Sequence, residues 1–410
     1  GFLSLLSMQT ESVFDLAIFS ALGILLAGVA TWYVLPLILT NNLNVLPKKE
    51  KTKQLDISKG LKKLWGYPAF IIVGIIIIVS LIMQSNINNE FNMLMVYNNS
   101  TIVSQNSKKV QEVNGGAIPV YVYVDLGETP LSLESMDEIT DLADELANLE
   151  QVSKVVNPYA LINIMYHANN TGDIPNDMVL TGIYSSISSQ ENNILSSLIS
   201  TEENEVRLLV FPSDLKNDTL GEIETFATGY NQDAEVTGIQ YSMRDLNVNI
   251  ADMQIKSIVL ALVIVLVMMI ITLRSFKVAI VSLLPIVITV AALYGFLGVT
   301  GISLNITTVI IFSITIGVGI DYAVHFSSVY KYYLNEDFTK EEAVEKAYSN
   351  SSRPIITNAL GISLGLSILM LSPLTIHFNV SVLMWASMLV SVIVTLSLLP
   401  TIFRLQKKVK

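Results

Sequence analysis

A chain of 410 residues that is 51% hydrophobic and 14% charged is too apolar for an ordinary soluble domain and too polar to lie wholly in lipid. It has no cysteine, which excludes disulfides and thiolate chemistry, and with only three histidines no zinc site is expected. The net charge of −11 is unevenly divided: residues 86–250 hold 24 acids and 6 bases, the remainder 11 acids and 18 bases. The acidic block reads as a solvated domain and the basic remainder as the flanks of membrane segments.

The opening "GFLSLLSM" is apolar from its first residue and lacks the basic start of a secretory signal. It reads as the end of a membrane helix, in a chain expected to be a fragment. Apolar runs follow at 13–40, 67–85, 255–273, 276–298, 303–327, 354–373 and 378–404, and a bilayer core takes roughly 20 apolar residues per helix. Between the first two of these, residues 41–66 carry seven lysines: Lys48, Lys49, Lys51, Lys53, Lys59, Lys62 and Lys63.

The acidic block reads as a small α/β fold. "AIPVYVYVDL" alternates and is rich in Val and Tyr, a strand. "SLESMDEITDLADELANL" sets Leu133, Met136, Ile139, Leu142, Leu146 and Leu149 on one helical stripe, with "SMDE" as a capping box. "QVSKVVN" is a strand, residues 158–203 are helical and irregular, and "EVRLLVFP" is a strand. "TLGEIETFATGY" opens on a second expected capping box and sets Leu220, Ile223 and Phe226 on one face; "AEVTGIQY" closes the set. The order is βαβ followed by βαβ, a split ferredoxin-like sandwich. No phosphate loop, Ser-His-Asp spacing or metal cluster occurs in it, and His167 stands alone. Asn98, Asn99, Asn169 and Asn217 head glycosylation sequons.

Basic residues mark alternate loops of the remaining spans. Arg274 and Lys277 flank one turn; Lys331, Lys340, Lys346 and Arg353 lie in the next basic loop; Arg404, Lys407, Lys408 and Lys410 end the chain. The loops at 299–302 and 374–377 have neither Lys nor Arg. The positive-inside rule then puts 86–250 outside the cytoplasm, and the lysine linker and tail within it. "TKEE", Thr339 to Glu342, is a capping box that starts a short amphipathic helix expected along the cytoplasmic face.

Within the run from Ser303 to Phe326, "GVGIDYAVHF" holds an aspartate, Asp321. A carboxylate in hydrocarbon costs about 2.5–3.5 kcal/mol on insertion scales, so it is retained where it faces helices, a partner or water. Desolvation disfavours charge in such a place, and a group that titrates near neutrality there can take a proton from one side and release it to the other. His325 is one turn on and on the same side. Tyr322 adjoins Asp321, Gly317 and Gly319 permit close backbone approach, and Thr357 and Asn358 open the next expected span with groups able to hydrogen-bond a carboxylate. Residues 1–36 and 365–400 also agree at a constant offset, Gly1 with Gly365, Phe14 with Phe378, Thr31 with Thr395 and Pro36 with Pro400. That agreement reads as an internal duplication, common among transporters.

The stretches "GISLN" (301–305), "GVGIDYAVHF" (317–326) and "EEAVEKAYSNSSRPIITNALGISLG" (341–365), with "LP" closing the spans at 35–36 and 399–400, resemble the resistance-nodulation-division (RND) superfamily, especially its MmpL and archaeal hydrophobe/amphiphile efflux branches. The resemblance implies two six-span halves, each with an external porter domain after its first span. Residues 1–40 would be the last spans of the first half, 41–66 a cytoplasmic linker, and 67–85 the first span of the second half. Residues 86–250 would be its porter domain, and 251–410 its other five spans and tail. It implies proton-coupled export of hydrophobic or amphiphilic molecules across the cytoplasmic membrane, with Asp321 and Tyr322 as one half's share of a relay, His325 beside them, and Gly317, Gly319, Thr357 and Asn358 in support. The expected partners are the bilayer, the amphiphile and the absent first half of the polypeptide, with a homo-oligomer open; no cofactor, nucleic acid or enzyme activity is expected. Two related readings stay open: a SecD/SecF-like protein-export accessory and a Patched-like sterol sensor.

Overall fold

The protein is described by a computed structural model covering residues 1–8, 11–41, 57–116, 118–190, 193–230 and 234–405. Lys48, Lys49, Lys51, Lys53, Lys407, Lys408 and Lys410 lie outside the described residues. In chain order the helices begin with α1 (Glu11–Asn41), α2 (Ile57–Lys62), α3 (Tyr67–Met83) and α4 (Ile102–Asn114). Strand β1 (Val120–Asp125) follows, then α5 (Leu133–Ala147) and β2 (Val152–Val156). Next come α6 (Pro158–His167), α7 (Asp177–Ser188), α8 (Leu195–Leu198), β3 (Ile199–Ser200), β4 (Glu205–Pro212), α9 (Asn217–Tyr230) and β5 (Ala234–Thr237). The chain closes with α10 (Ile239–Leu273), α11 (Phe276–Thr300), α12 (Ile306–Asn335), α13 (Lys340–Leu366) and α14 (Thr375–Leu405). Two units separate: residues 1–89 with 249–410, and residues 90–248.

The first unit is helical. Among the described residues, α1, α3, α10, α11, α12, α13 and α14 are long and apolar enough to cross a membrane. On α1 and α3, Phe19, Trp32, Ile71 and Ile78 are exposed, as side chains that meet lipid must be. Small residues let α3 and α11 touch: a Cβ built on Gly295 would lie 2.8 Å from the Ser80 Oγ, and one on Gly298 would overlap the Met83 carbonyl oxygen. Aromatic stacking joins α12 to α14, with Tyr330 parallel to Phe403 at 4.3 Å between ring centres. Ser282 of α11 and Ser327 of α12 share a hydroxyl hydrogen bond of 2.5 Å.

The structure departs from the expected helices in places. Phe2–Ser7 is a 3-10 turn and not an α-helix, in which the Ser4 and Ser7 hydroxyls donate to the carbonyls of Gly1 (2.6 Å) and Ser4 (2.8 Å). These i−3 bonds suit the tighter helix. The "TKEE" box forms, with the Thr339 hydroxyl accepting from the Glu342 backbone and Glu342 accepting from that of Thr339, but the helix it starts does not end before the next span. It runs unbroken through Pro354 to Leu366. Thr357 and Asn358 therefore lie inside α13, where both are exposed, and do not begin a helix.

A cluster at the Lys62 end joins α2 to the ends of α13 and α14. Glu345 accepts from Lys62 (2.5 Å) and Arg404 (2.7 Å). Arg404 lies over the Trp65 ring at 4.7 Å, and the Trp65 indole donates to the Leu396 carbonyl at 2.9 Å. Tyr348 meets Trp65 edge-on and donates to the Ser58 carbonyl.

The second unit holds a sheet in the order β2-β4-β1-β5, with β3 pairing beside β4 and every pairing antiparallel. Alternation decides its faces: Val120, Val122 and Val124 of β1 and Val206, Leu208 and Val210 of β4 are buried. Met136, Ile139, Leu142 and Leu146 of α5 and Leu220 and Ile223 of α9 join the same core. Leu133, Leu149 and Phe226 are only partly buried against it. The expected caps sit elsewhere. Ser132, not Ser135, caps α5, accepting from the Ser135 backbone at 3.1 Å, while the Ser135 hydroxyl donates to Thr129. Helix α9 starts ahead of Thr219, whose hydroxyl donates to the Asp214 carboxylate at 2.6 Å. Three buried tyrosine hydroxyls donate to main-chain carbonyls: Tyr159 to Pro130, Tyr184 to Ile199 (3.0 Å) and Tyr241 to Leu220 (2.9 Å). The unit's two ends meet where the Asn247 amide donates to the Phe91 carbonyl at 2.8 Å.

Candidate functional site

The start of α12 sets which residues face which way. The Asn305 side chain accepts from the backbones of Thr307 (2.9 Å) and Thr308 (3.1 Å), and the Thr308 hydroxyl accepts from the Asn305 backbone at 2.8 Å. This capping box fixes the helix at its first turn. From there the α-helical repeat carries Phe312, Ile316, Gly319, Tyr322, Ala323 and Phe326 into the bundle core.

Asp321 falls on the other side of that division. It is exposed, as is His325 one turn further on. Tyr322 is about 100° round the helix from Asp321; it is 1% exposed, and its hydroxyl reaches the Met388 sulfur of α14 at 3.2 Å. Gly319 shares Tyr322's side, where a Cβ would lie 3.3 Å from the Ser391 hydroxyl of α14. Gly317 shares Asp321's side and is half-buried, with the Gly1 backbone against it. The residues singled out in the sequence thus form two sets: Gly317, Asp321 and His325 on an open stripe, Gly319 and Tyr322 in the seam with α14. Thr357 and Asn358 are exposed on α13, and no hydrogen bond joins them to Asp321.

Sequence reasoning passed over Met388, whose sulfur the Tyr322 hydroxyl reaches, and Ser391, which lies against Gly319. It also passed over Ser313, which stands two turns before Asp321 on the same stripe. The repeat of four through Ser313, Gly317, Asp321 and His325 is the signal that locates it.

In the sheet unit, polar side chains pair with one another. Arg244 meets Glu224 at 2.5 Å, and Arg207 lies over the Tyr123 ring at 5.4 Å. His167 is exposed, its Nδ1 2.8 Å from the Asn163 carbonyl. Among the described residues no three His, Cys, Asp or Glu side chains group as a metal site.

Comparison with known proteins covers most of this architecture. The model of the MMPL family matches residues 93–407, from the start of the sheet unit through α14. A protein of Methanocaldococcus jannaschii, named as a candidate membrane protein, is 26% identical over 144 residues. That alignment takes in 35% of this chain and 37% of the archaeal protein, so the chain spans little more than a third of that relative's length. With seven helices of bilayer length among the described residues and a family match over most of its length, the chain is a multi-pass membrane protein and belongs to the MMPL family.

Proposed function

We propose that this chain is part of an RND-type secondary transporter that exports hydrophobic or amphiphilic molecules at the expense of a proton gradient. Membership of the MMPL family supports the transporter class. The observation that carries the proton role is Asp321: a carboxyl midway along the apolar helix α12, left uncovered by the other helices of this chain, with His325 on the same side and Tyr322 beside it. A carboxyl so placed gains or loses a charge that the surrounding helices must accommodate, and that difference is what can bias two arrangements of a bundle.

The face bearing Asp321 is, in this reading, covered by a first membrane half of the same polypeptide. Helices α1 and α14 support the duplication. Each is 31 residues long, their bounds differ by one constant displacement, and each contains a proline, Pro36 and Pro400, at the same place. Each is also preceded by a 3-10 turn, Phe2–Ser7 and Ser367–Leu371. The antiparallel order β2-β4-β1-β5 with α5 and α9 on one face supports reading the unit as a split βαβ, ferredoxin-like module, the porter domain outside the cytoplasm in this proposal. The described basic residues Lys59, Lys62, Lys63, Arg353 and Arg404 lie in the segments assigned to the cytoplasmic side.

The test is Asp321→Asn in the full-length protein, reconstituted in vesicles with an imposed pH gradient and a fluorescent phospholipid analogue as cargo. Asparagine keeps the size and removes the titration. Transport should fall to the level seen without a gradient. Gradient-driven transport equal to the wild type overturns the proton role.

A further inference from the structure

The stripe of α12 that carries Asp321 continues to Ser313, about 12 Å along the helix toward Asn305. The Ser313 hydroxyl lies 3.3 Å from that of Ser257 on α10 and 3.4 Å from that of Ser4, and the Ser257 hydroxyl lies 3.3 Å from that of Ser4. All three serines are 1% exposed. Hydroxyl pairs normally close to about 2.7–2.8 Å, so these three are loosely joined and have bonding capacity left.

Gln254 stands three residues before Ser257 on the same side of α10. It is 0% exposed, and neither its amide oxygen nor its amide nitrogen has a hydrogen-bond partner among the described residues. A primary amide offers two donors and an oxygen acceptor; burying all of them dry is strongly unfavourable, and proteins answer such groups with internal water. The same stripe of α10 turns apolar beyond Ser257, at Ile258, Ala261, Val265 and Met269. Gln254 and Ser257 therefore stand at the polar end of this stripe, where Ser257 meets Ser313.

We infer that Gln254, Ser257 and Ser313 form an internal water-binding site between α10 and α12, and that this water is the outward end of the path by which protons reach Asp321. Between Ser313 and Asp321 the α12 stripe offers only Gly317, against which the Gly1 peptide backbone packs, so no hydrocarbon side chain of α12 interrupts it. The route rests on the proton role proposed for Asp321; the water site does not.

Millisecond X-ray radiolysis of the full-length protein in lipid nanodiscs, read by mass spectrometry, separates the two. Radicals born from bound water oxidise side chains beside it even where bulk solvent is excluded. Ile258 and Val265 are both buried on the same stripe, but only Ile258 adjoins Ser257. Ile258 should be oxidised about tenfold faster than Val265, because one is wet and the other dry. The pair Gln254→Leu with Ser257→Ala should bring the two rates together. Equal rates in the unaltered protein overturn the site, whether or not the double variant folds. Asp321→Asn should keep Ile258 oxidation while removing gradient-driven transport, so failure of the water site and failure of the proton role register separately. For the route, Ser313→Val should slow gradient-driven transport about a hundredfold, the lower end of what a positioned proton-transfer group contributes; a wild-type rate overturns the route.

Discussion

Asp214 carries a charge whose contribution can be read without reference to transport. Burial acts to raise its pKa, but hydrogen bonds from Thr219 and Lys216 and the Lys216 charge outweigh burial and hold it below the ordinary 3.8. A carboxyl depressed on folding stabilises the native state above its unfolded pKa, and that contribution is lost as pH falls through the folded value. Asp214→Asn should therefore speed amide exchange in the first turn of α9 at about pH 5 and above, and the difference from wild type should vanish under strong acid. A difference that persists unchanged into strong acid would show that the charge is not responsible. Single residues were also where the sequence was hardest to read. "SMDE" and "TLGE" both have the spacing of a capping box, yet Ser132 caps α5, and Thr219 lies inside α9 with its hydroxyl donating back to Asp214. Several Ser, Thr and Asp in one short segment compete for the same backbone donors, and only the backbone path selects among them. Asp321 was legible because a carboxyl within an apolar run stands out in any register. Its separation from Tyr322 was not, since adjacent residues on a helix face different neighbours and the sequence does not say which side is covered.

The helices were more legible than their ends. Among the described residues, apolar runs located each helix of bilayer length, because hydrophobic length is a one-dimensional property. What the runs could not show was continuity. The break expected before Pro354 does not occur, and α13 extends through it with the proline exposed. Nor did apolarity show that Phe2–Ser7 takes the tighter 3-10 pitch, where serine hydroxyls bond to carbonyls three residues back. Close helix contact is likewise an element-scale property, and it makes Gly298 a sensitive position on α11. Alanine there must displace either the Met83 backbone of α3 or α11 itself, at about 1–3 kcal/mol for an overpacked contact. Gly298→Ala should lower the melting temperature in detergent. Alanine at Gly361 of α13, with open space where its Cβ would stand, should not. Equal melting of the two variants would mean that α3 and α11 are not packed as closely as described.

At the scale of the whole chain, the acidic block of the sequence is 86–250 and the compact sheet unit spans 90–248. Acids collect where backbone and side chains meet water, so composition carries a signal of such a division. The order βαβ followed by βαβ was readable from strand alternation and helical stripes. The added strand β3 was not, being two residues long. With a core of its own, built from Val122, Ile139, Leu146, Leu208 and Ile223 among others, residues 90–248 should fold when expressed alone. A single cooperative melt with dispersed methyl resonances would establish this. Aggregation, or a gradual loss of structure on heating, would show that the core depends on the membrane helices.

The bond between Asn247 and the Phe91 carbonyl adds something to that independence. A segment whose first and last residues touch leaves a gap of only a few ångströms when it is lifted out, so the chain on either side need not be stretched to close it. Such a segment behaves as a cassette: it can be exchanged for another, or shortened to a tight turn, with its attachment points unmoved.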